Sequence, residues 1–408
     1  MPKRLFLDEM LVQLNKYVVK YGVSSRKAWI RWAFWTATRG AGVPEHLGLT
    51  RLVAWARRPK TVDDDVCRVK IKIDGGLGDM LLSLNYIRAF DAAFAGKRRI
   101  AVYSRRDKML GSMQNLCREQ DFHVDFISAR EAARSNDNDI ELEVLRFPKL
   151  VFLNRKKVER LEPRIAEICA YYQSFLNDNS NYMCTGAYAY FLGTKYSSLN
   201  GQNRLTQPDV GGFLNVGVDF RPKIFGDVAA TKAKFGLADG PYITLQRGAG
   251  GKWQNEATKL WPLEKYVELV AALRRKYPDV KIVQLGSGST WAVEGVDVDL
   301  RGKTDFEELK ILLKDAVCHF DGECGLVHLR RFLGGGPSVV VFGPTSEEFF
   351  AYPENVNLGS NACPGGCEWL TATYVERCPR GCERCERIAA ISVEDALQGV
   401  EKVIDEKM

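Results

Sequence analysis

Residues 321–345 read DGECGLVHLRRFLGGGPSVVVFGPT, and this stretch decides the fold. Just ahead of it and into it, residues 317–320 read as a short buried strand. Residues 325–333 read as a helix, with Leu326, Leu329 and Leu333 on one face and Arg330 and Arg331 near its end. After a glycine break, residues 337–342 read as a second, β-branched strand running into Gly343-Pro344-Thr345. Strand, turn, helix and strand at this spacing form a βαβ unit, so the two strands are expected to be parallel. Ligands of such sheets collect beyond the carboxyl ends of the strands, where helix N-termini point at them. A helix opening at Gly325 offers bare N–H groups at that edge, and these suit a diphosphate.

The pattern extends to both sides. Upstream, RVKIKID at residues 68–74 alternates as a strand, with Val69, Ile71 and Ile73 on one face. The turn GGLGDM follows, then a helical run over residues 81–96. Further strands are expected at residues 100–104, at 123–127 and around Val144. A helix carrying Ile165, Ile168, Tyr172 and Phe175 follows, then a loop-rich stretch with Tyr182, Tyr188 and Tyr190. A second α/β pattern starts at Pro241. It runs YITLQ, a long polar loop to Lys259, a helix with Pro262 at its start, KIVQLG, VDVDL, DFEELKILLKDA and VCHF. Proline at a helix start costs nothing, because that N–H has no partner in the helix. Two successive α/β patterns, each opening with strand, loop and helix, predict two Rossmann-like halves facing across a cleft. Ser392 and Asp395 form the S-x-x-D signature of a capped final helix.

Length and composition fit a globular chain with sizeable cores: 408 residues, 46% hydrophobic and 27% charged. No uninterrupted apolar run reaches the about 20 residues that span a bilayer. The first residues mix acids and lysines into their apolar pattern, unlike a secretory signal, so a cytoplasmic location is expected. The net charge of +7 is unevenly placed, since residues 1–60 alone carry +9 and four of the eight tryptophans. That segment reads as several helices. It suits a peripheral contact with an anionic membrane or an acidic partner, or else a helical cap docked on the body or in an oligomer interface. Nothing points to nucleic acid, because the basic charge belongs to the extension.

Several residues could carry chemistry. Asp79, at the start of the helix after GGLGDM, could take a proton from a hydroxyl at the cleft mouth, or merely cap its helix. Lys259, entering the next helix, could meet a leaving phosphate as a point charge, or be a solvated lysine. Arg247 and Lys252 are lesser candidates in the same loop. Glu323 could bond sugar hydroxyls, and His328 reads as a supporting or packing histidine. The sequence holds no H-E-x-x-H and no P-loop, so zinc hydrolase and ATPase chemistries lack support. Five of the eleven cysteines fall between Cys363 and Cys385. In a reducing compartment, Cys363, Cys367, Cys378 and Cys385 read as thiolate ligands of a structural iron or zinc, with Cys382 as a substitute for one of them.

Together, IDGGLGDMLLSLNYIRAF, KLWPLEKYVELVAAL and ECGLVHLRRFLGGGPSVVVFGPTS resemble the family 9 glycosyltransferases, the heptosyltransferase group. The resemblance implies an α/β GT-B fold: two Rossmann-like domains across a cleft, here with a helical N-terminal extension and a Cys-rich metal finger. The expected divisions are 1–65 for the basic extension, 66–235 for the acceptor domain and 236–360 for the donor domain, then 361–387 for the finger and 388–408 for the last helix. It implies an inverting transferase without a catalytic metal, with ADP-heptose as donor and Asp79 as general base. Lys259, Glu323, Gly325, Leu326, Val327 and Thr345 are the implied donor contacts, and Arg247, from its place in the loop, is a further donor-site candidate. The LVHLRR run, FGPTS and the Cys-rich stretch with Trp369 resemble more narrowly the bacterial autotransporter protein O-heptosyltransferases. That implies serines of an adhesin as acceptor and a homo-oligomer. The spacing C-x3-C and the extra Cys382 depart from that group. The alternatives are a lipopolysaccharide or capsule heptosyltransferase, and a non-catalytic scaffold of the same fold.

Overall fold

The structure, a computed structural model, describes residues 62–105, 109–179, 192–217, 220–248, 257–370 and 374–407. The expected N-terminal helices, the tyrosine-rich stretch around Tyr188 and Lys252 lie outside the described residues.

Two sheets organise the described chain. The first contains β1 (Cys67–Ile73), β2 (Arg98–Tyr103), β3 (Val124–Phe126), β4 (Ile140–Val144) and β5 (Pro148–Leu153), in the order β3-β2-β1-β4-β5. β5 is antiparallel to β4, and the other pairs are parallel. The second contains β6 (Tyr242–Leu245), β7 (Lys281–Gln284), β8 (Val298–Asp299), β9 (His319–Gly322), β10 (Ser338–Val341) and β11 (Val356–Leu358). Its order is β11-β10-β9-β6-β7-β8, parallel throughout. The expected βαβ unit is present: β9, the helix Gly325–Leu333 and β10, with β9 parallel to β10. The first strand of that unit lies two residues later than the apolar pattern placed it.

Two features differ from the sequence reading for definable reasons. The alternation VKIKI suggests one wet face on β1, yet Lys70 and Lys72 are buried. Each lies beside a glutamate in the register with β4, Lys70 by Glu141 and Lys72 by Glu143, and the ion pairs measure 3.3 and 2.6 Å. A buried lysine is tolerated when such a partner is built in beside it. The strand β5 was not expected, because RFPKLVFL has no clean alternation; it is an edge strand, and Val151 on it is exposed.

One continuous core joins the two sheets. It runs from Ile71, Phe90 and Tyr172 through Leu329 and Phe332 to Tyr242, Leu312 and Leu285. The helix Gly325–Leu333 therefore packs with its apolar face against the first half while belonging to the second. Its end is fixed by Gly334 at φ +69°, a left-handed position that glycine takes without strain. Arg330 is fully buried, and its guanidinium donates to the carbonyls of Leu313, Ala316 and Val317, tying the Phe306–Asp315 helix end to β9. On the other face of the second sheet a separate core holds Trp261, Tyr266 and Phe320 against the final helix, Val393–Asp405. That helix is capped as expected by Ser392 and Asp395. Among the described residues, no helix is long and apolar enough to cross a membrane.

Candidate functional site

The site is built where two helix starts meet. The helix Leu77–Asp91 leaves β1 through Gly75 and Gly76, and the helix Gly325–Leu333 leaves β9 through Glu323 and Cys324. Both therefore open at the carboxyl edges of their sheets. They touch through glycines: a Cβ placed on Gly78 would lie 2.3 Å from His328 Cδ2, and one on Gly325 would lie 3.2 Å from the Gly78 nitrogen. Only residues without side chains let the two starts approach this closely. Asp79 is next to Gly78, so the expected carboxylate and the expected anion cradle share one junction.

Asp79 is held from two sides. Its Oδ2 accepts the Gly76 N–H at 3.1 Å, and Gly75, at φ +112°, leaves the room for that fold-back. Its Oδ1 accepts from Arg204 Nη2 at 2.6 Å. Arg204 is buried and donates also to the Leu145 carbonyl, and its Nη1 has no hydrogen-bond partner among the described residues. Burial by itself would raise the Asp79 pKa, but the Arg204 and Arg146 guanidiniums outweigh it and hold the carboxyl below its usual range. The backbone N–H of Arg204 donates to the Phe349 carbonyl at 2.9 Å, so this arginine also bridges to the second half.

Across the junction, Lys259 Nζ meets Glu323 Oε2 at 2.6 Å, both largely buried. His328 Nε2 lies 3.9 Å from the other Glu323 oxygen, and its Nδ1 hydrogen-bonds the Tyr352 hydroxyl at 2.6 Å. Burial would raise the Glu323 pKa, but Lys259 and His328 bring it down to about 2, so the carboxylate is ionised. The N-cap Cys324 does not cap its helix by its side chain; its thiol donates to Asp321 Oδ2 at 2.7 Å. The N–H groups of the first turn, over Gly325, Leu326 and Val327, are thus left without a side-chain cap. A small cavity of about 10 Å³ adjoins Val327 and is lined also by Glu323, Cys324, His328 and Tyr352. Thr345, at the exit of β10, is buried, and its hydroxyl has no hydrogen-bond partner among the described residues. Arg247 stands apart from this group, with Nε on the Trp261 carbonyl at 3.3 Å.

The cysteine stretch closes on the same edge. Cys367 N–H donates to the Pro344 carbonyl at 2.7 Å, and Glu368 Oε1 accepts the Ser346 N–H at 2.8 Å. Burial pushes the Glu368 carboxyl up to about 7. All five cysteines are free thiols. Burial pushes Cys367 up to about 12, with Cys385, Cys363 and Cys378 adding to the rise, so the four are neighbours. Yet among the described residues no group of three or more His, Cys, Asp or Glu side chains is placed to hold a metal ion. The thiols of Cys378 and Cys382 share a hydrogen bond, and Arg380 reaches Cys363, in place of a closed knuckle of Cys363, Cys367, Cys378 and Cys385. As arranged, the residues do not fit the expected iron or zinc, and no chemistry is routed through one.

Residues 225–364 match the model of glycosyltransferase family 9 (heptosyltransferase). The chain carries a family 9 glycosyltransferase domain. The matched span of this domain includes Lys259, Glu323, Gly325 and Thr345, and stops short of Asp79. Solved structures place the whole architecture. A family 9 glycosyl transferase from Veillonella parvula DSM 2008 is 15% identical, with 85% of this chain and 100% of that one covered at a TM-score of 0.54. The dodecameric iron-containing heptosyltransferase TibC, of enterotoxigenic E. coli H10407, solved with ADP-D-beta-D-heptose, is 14% identical, with 86% and 77% covered at 0.53. The ADP-heptose lipopolysaccharide heptosyltransferase II of E. coli is 15% identical, with 83% and 99% covered at 0.50. These likenesses show the GT-B-like α/β fold. No curated protein matches the chain.

Sequence reasoning missed Arg204, Arg146 and Glu368. Arg204 lies in the irregular stretch GQNRLTQPDV, where no periodicity marks a buried charge. Glu368 was hidden inside a run read only for its thiols.

Proposed function

We propose that the protein transfers a heptose from ADP-heptose, with inversion, to serine hydroxyls of a bacterial autotransporter adhesin. One observation carries the transferase reading: Asp79 and the uncapped start of the Gly325–Leu333 helix lie at a single junction, through Gly78 and Gly325. The proposed donor diphosphate rests on those first-turn N–H groups and on Lys259. The acceptor hydroxyl approaches Asp79. Its oxygen attacks the anomeric carbon, its proton passes to Asp79, and the bond from that carbon to the diphosphate oxygen breaks with both electrons leaving on ADP. Lys259 and the helix start stabilise the charge that grows on the leaving oxygen. Arg204 keeps Asp79 ionised, which a base requires, at the cost of some basicity; each carboxylate oxygen retains a second lone pair for the incoming proton.

The heptose is supported by the family 9 match, the ADP moiety by the fold likeness to the ADP-heptose enzymes, and the protein acceptor by the resemblance of the LVHLRR run, FGPTS and the cysteine-rich stretch to the autotransporter group. The protein is also proposed to be cytoplasmic and to assemble as a homo-oligomer, with divisions near residues 65, 235, 360 and 387. The test is incubation with ADP-heptose and a candidate adhesin, or with a lipopolysaccharide core, followed by mass measurement. A heptose added to the adhesin supports the proposal. Addition only to the core selects the lipopolysaccharide enzyme, and addition to neither, with ADP-heptose uncleaved, selects the scaffold. Elemental analysis giving about one iron or zinc per chain would support a structural metal on the cysteines; folded, metal-free protein removes it.

A further inference from the structure

The cysteine stretch contributes more than a support to this edge. Its short turn Cys367–Trp369 carries Glu368, which is 2% exposed. One carboxylate oxygen is used on the Ser346 N–H, and the other, Oε2, has no hydrogen-bond partner among the described residues. The neighbouring residue on β10's exit, Thr345, is 1% exposed, and its Oγ1 is likewise unpartnered. A buried polar atom without a partner costs free energy that proteins rarely leave uncompensated, so two of them, one on Thr345 and one on the glutamate bonded to the adjoining Ser346, call for a ligand or water. The first half of the molecule reaches the short helix that follows Ser346: Arg204 N–H holds the Phe349 carbonyl, and the Arg146 guanidinium lies 5.9 Å from the Phe350 ring.

The chemistry of the pair selects the ligand. A carboxylate oxygen without a proton accepts hydrogen bonds, and a threonine hydroxyl both accepts and donates. Glu323 stands close enough to Glu368 for the two acids to repel. Two acids here disfavour a phosphate, which already has the Lys259 and helix-start position. They favour neutral hydroxyls, which donate to carboxylates. We infer that Glu368 and Thr345 form a subsite for the hydroxyls of the transferred sugar, so that the cysteine turn reads the sugar while Lys259 and the Gly325 helix read the nucleotide. This rests on the transferase reading above and deepens it.

The test compares ADP with ADP-heptose on the full chain, by calorimetry and by steady-state transfer. Glu368→Gln retains the shape and the oxygen facing Ser346 N–H, and replaces the free acceptor with a donor. It should raise the Kd for ADP-heptose about tenfold while changing that for ADP less than twofold, with an unchanged thermal melt. Thr345→Val should show the same asymmetry with a smaller factor. Equal losses for the two ligands, or no loss for either, would overturn the subsite and leave the transferase reading intact. Failure of the unmodified chain to bind ADP at all would overturn that reading, and the subsite with it.

Discussion

The two halves of the molecule reach the cleft by different means. The second half is regular: parallel strands deliver Lys259, Glu323 and Thr345 to one edge, each within a few residues of a strand or helix end. The first half supplies Asp79 from a comparable turn, but its other charges come from irregular chain. Arg146 sits in the connection between antiparallel strands, and Arg204 sits outside the sheet altogether. The family match follows this division, covering 225–364 and not Asp79. A half that holds an unvarying diphosphate needs a fixed backbone geometry. A half that meets the acceptor can take its charges from loops, because loops tolerate change without unpicking the sheet.

The largest effect is expected in the first half. Asp79→Asn should lower turnover by about 10²–10⁴-fold, the usual worth of a positioned base. The amide oxygen can accept from only one of Gly76 and Arg204, and its NH2 then faces the other donor. The chain should still fold, but it should melt lower, because a hydrogen bond and the counter-ion of Arg204 are both lost. Single-turnover transfer with circular dichroism on the same sample checks both. Turnover within a few-fold of the parent would remove Asp79 from the chemistry and with it the junction as the reason for the fold.

The second half should respond to Lys259→Ala in a different way. Donor affinity should fall by about 10²-fold if the ammonium meets the diphosphate. Stability should also fall, by about 3 kcal/mol, because the buried Glu323 loses its partner. Adding Glu323→Ala should restore most of the stability and none of the affinity. The pH dependence has a definite sign. Glu323 is depressed to about 2, so its contribution is present above the ordinary glutamate range and is lost as pH falls toward about 2. Without Lys259, burial dominates and the loss moves to higher pH. Melts across pH 2–7 would show it. Unchanged ADP affinity in Lys259→Ala would void the phosphate assignment.

The same division explains what could be read from the sequence. The βαβ unit was legible because Leu326, Leu329 and Leu333 recur at helical spacing and Gly334 marks the end, all local signals. Asp79, Lys259 and Glu323 were legible because each sits at a predictable boundary between elements. Arg204 was not, since its partner is 125 positions away and nothing near it repeats. The burial of Lys70 and Lys72 was hidden for a related reason: their glutamates are supplied by β4, and a strand read alone shows a wet face. Glu368 was obscured by its neighbours' stronger pattern.

Arg204 offers a subtler probe of the first half. Arg204→Met removes the guanidinium that holds Asp79 down and leaves the burial that pushes it up. The acid limb of the rate profile should therefore move to higher pH, with less change in rate above it. A limb that stays in place would mean that Asp79 does not set it, or that Arg146 alone supplies the field.

The smallest effect tests whether burial, rather than distance, makes the Lys259–Glu323 pair matter. Arg99 and Asp125 form an ion pair at 2.8 Å, close to the 2.6 Å of Lys259 and Glu323. Their side chains are 72% and 52% exposed, against 18% and 12%. Water screens the first pair and must be stripped from the second, so similar lengths carry different energies. Arg99→Gln should leave the urea midpoint within the scatter of repeats, and ADP affinity untouched. A clear loss there would mean that charges on the open face of the first sheet are coupled to the fold as strongly as those in the cleft, and the contrast between the halves would then rest on geometry alone.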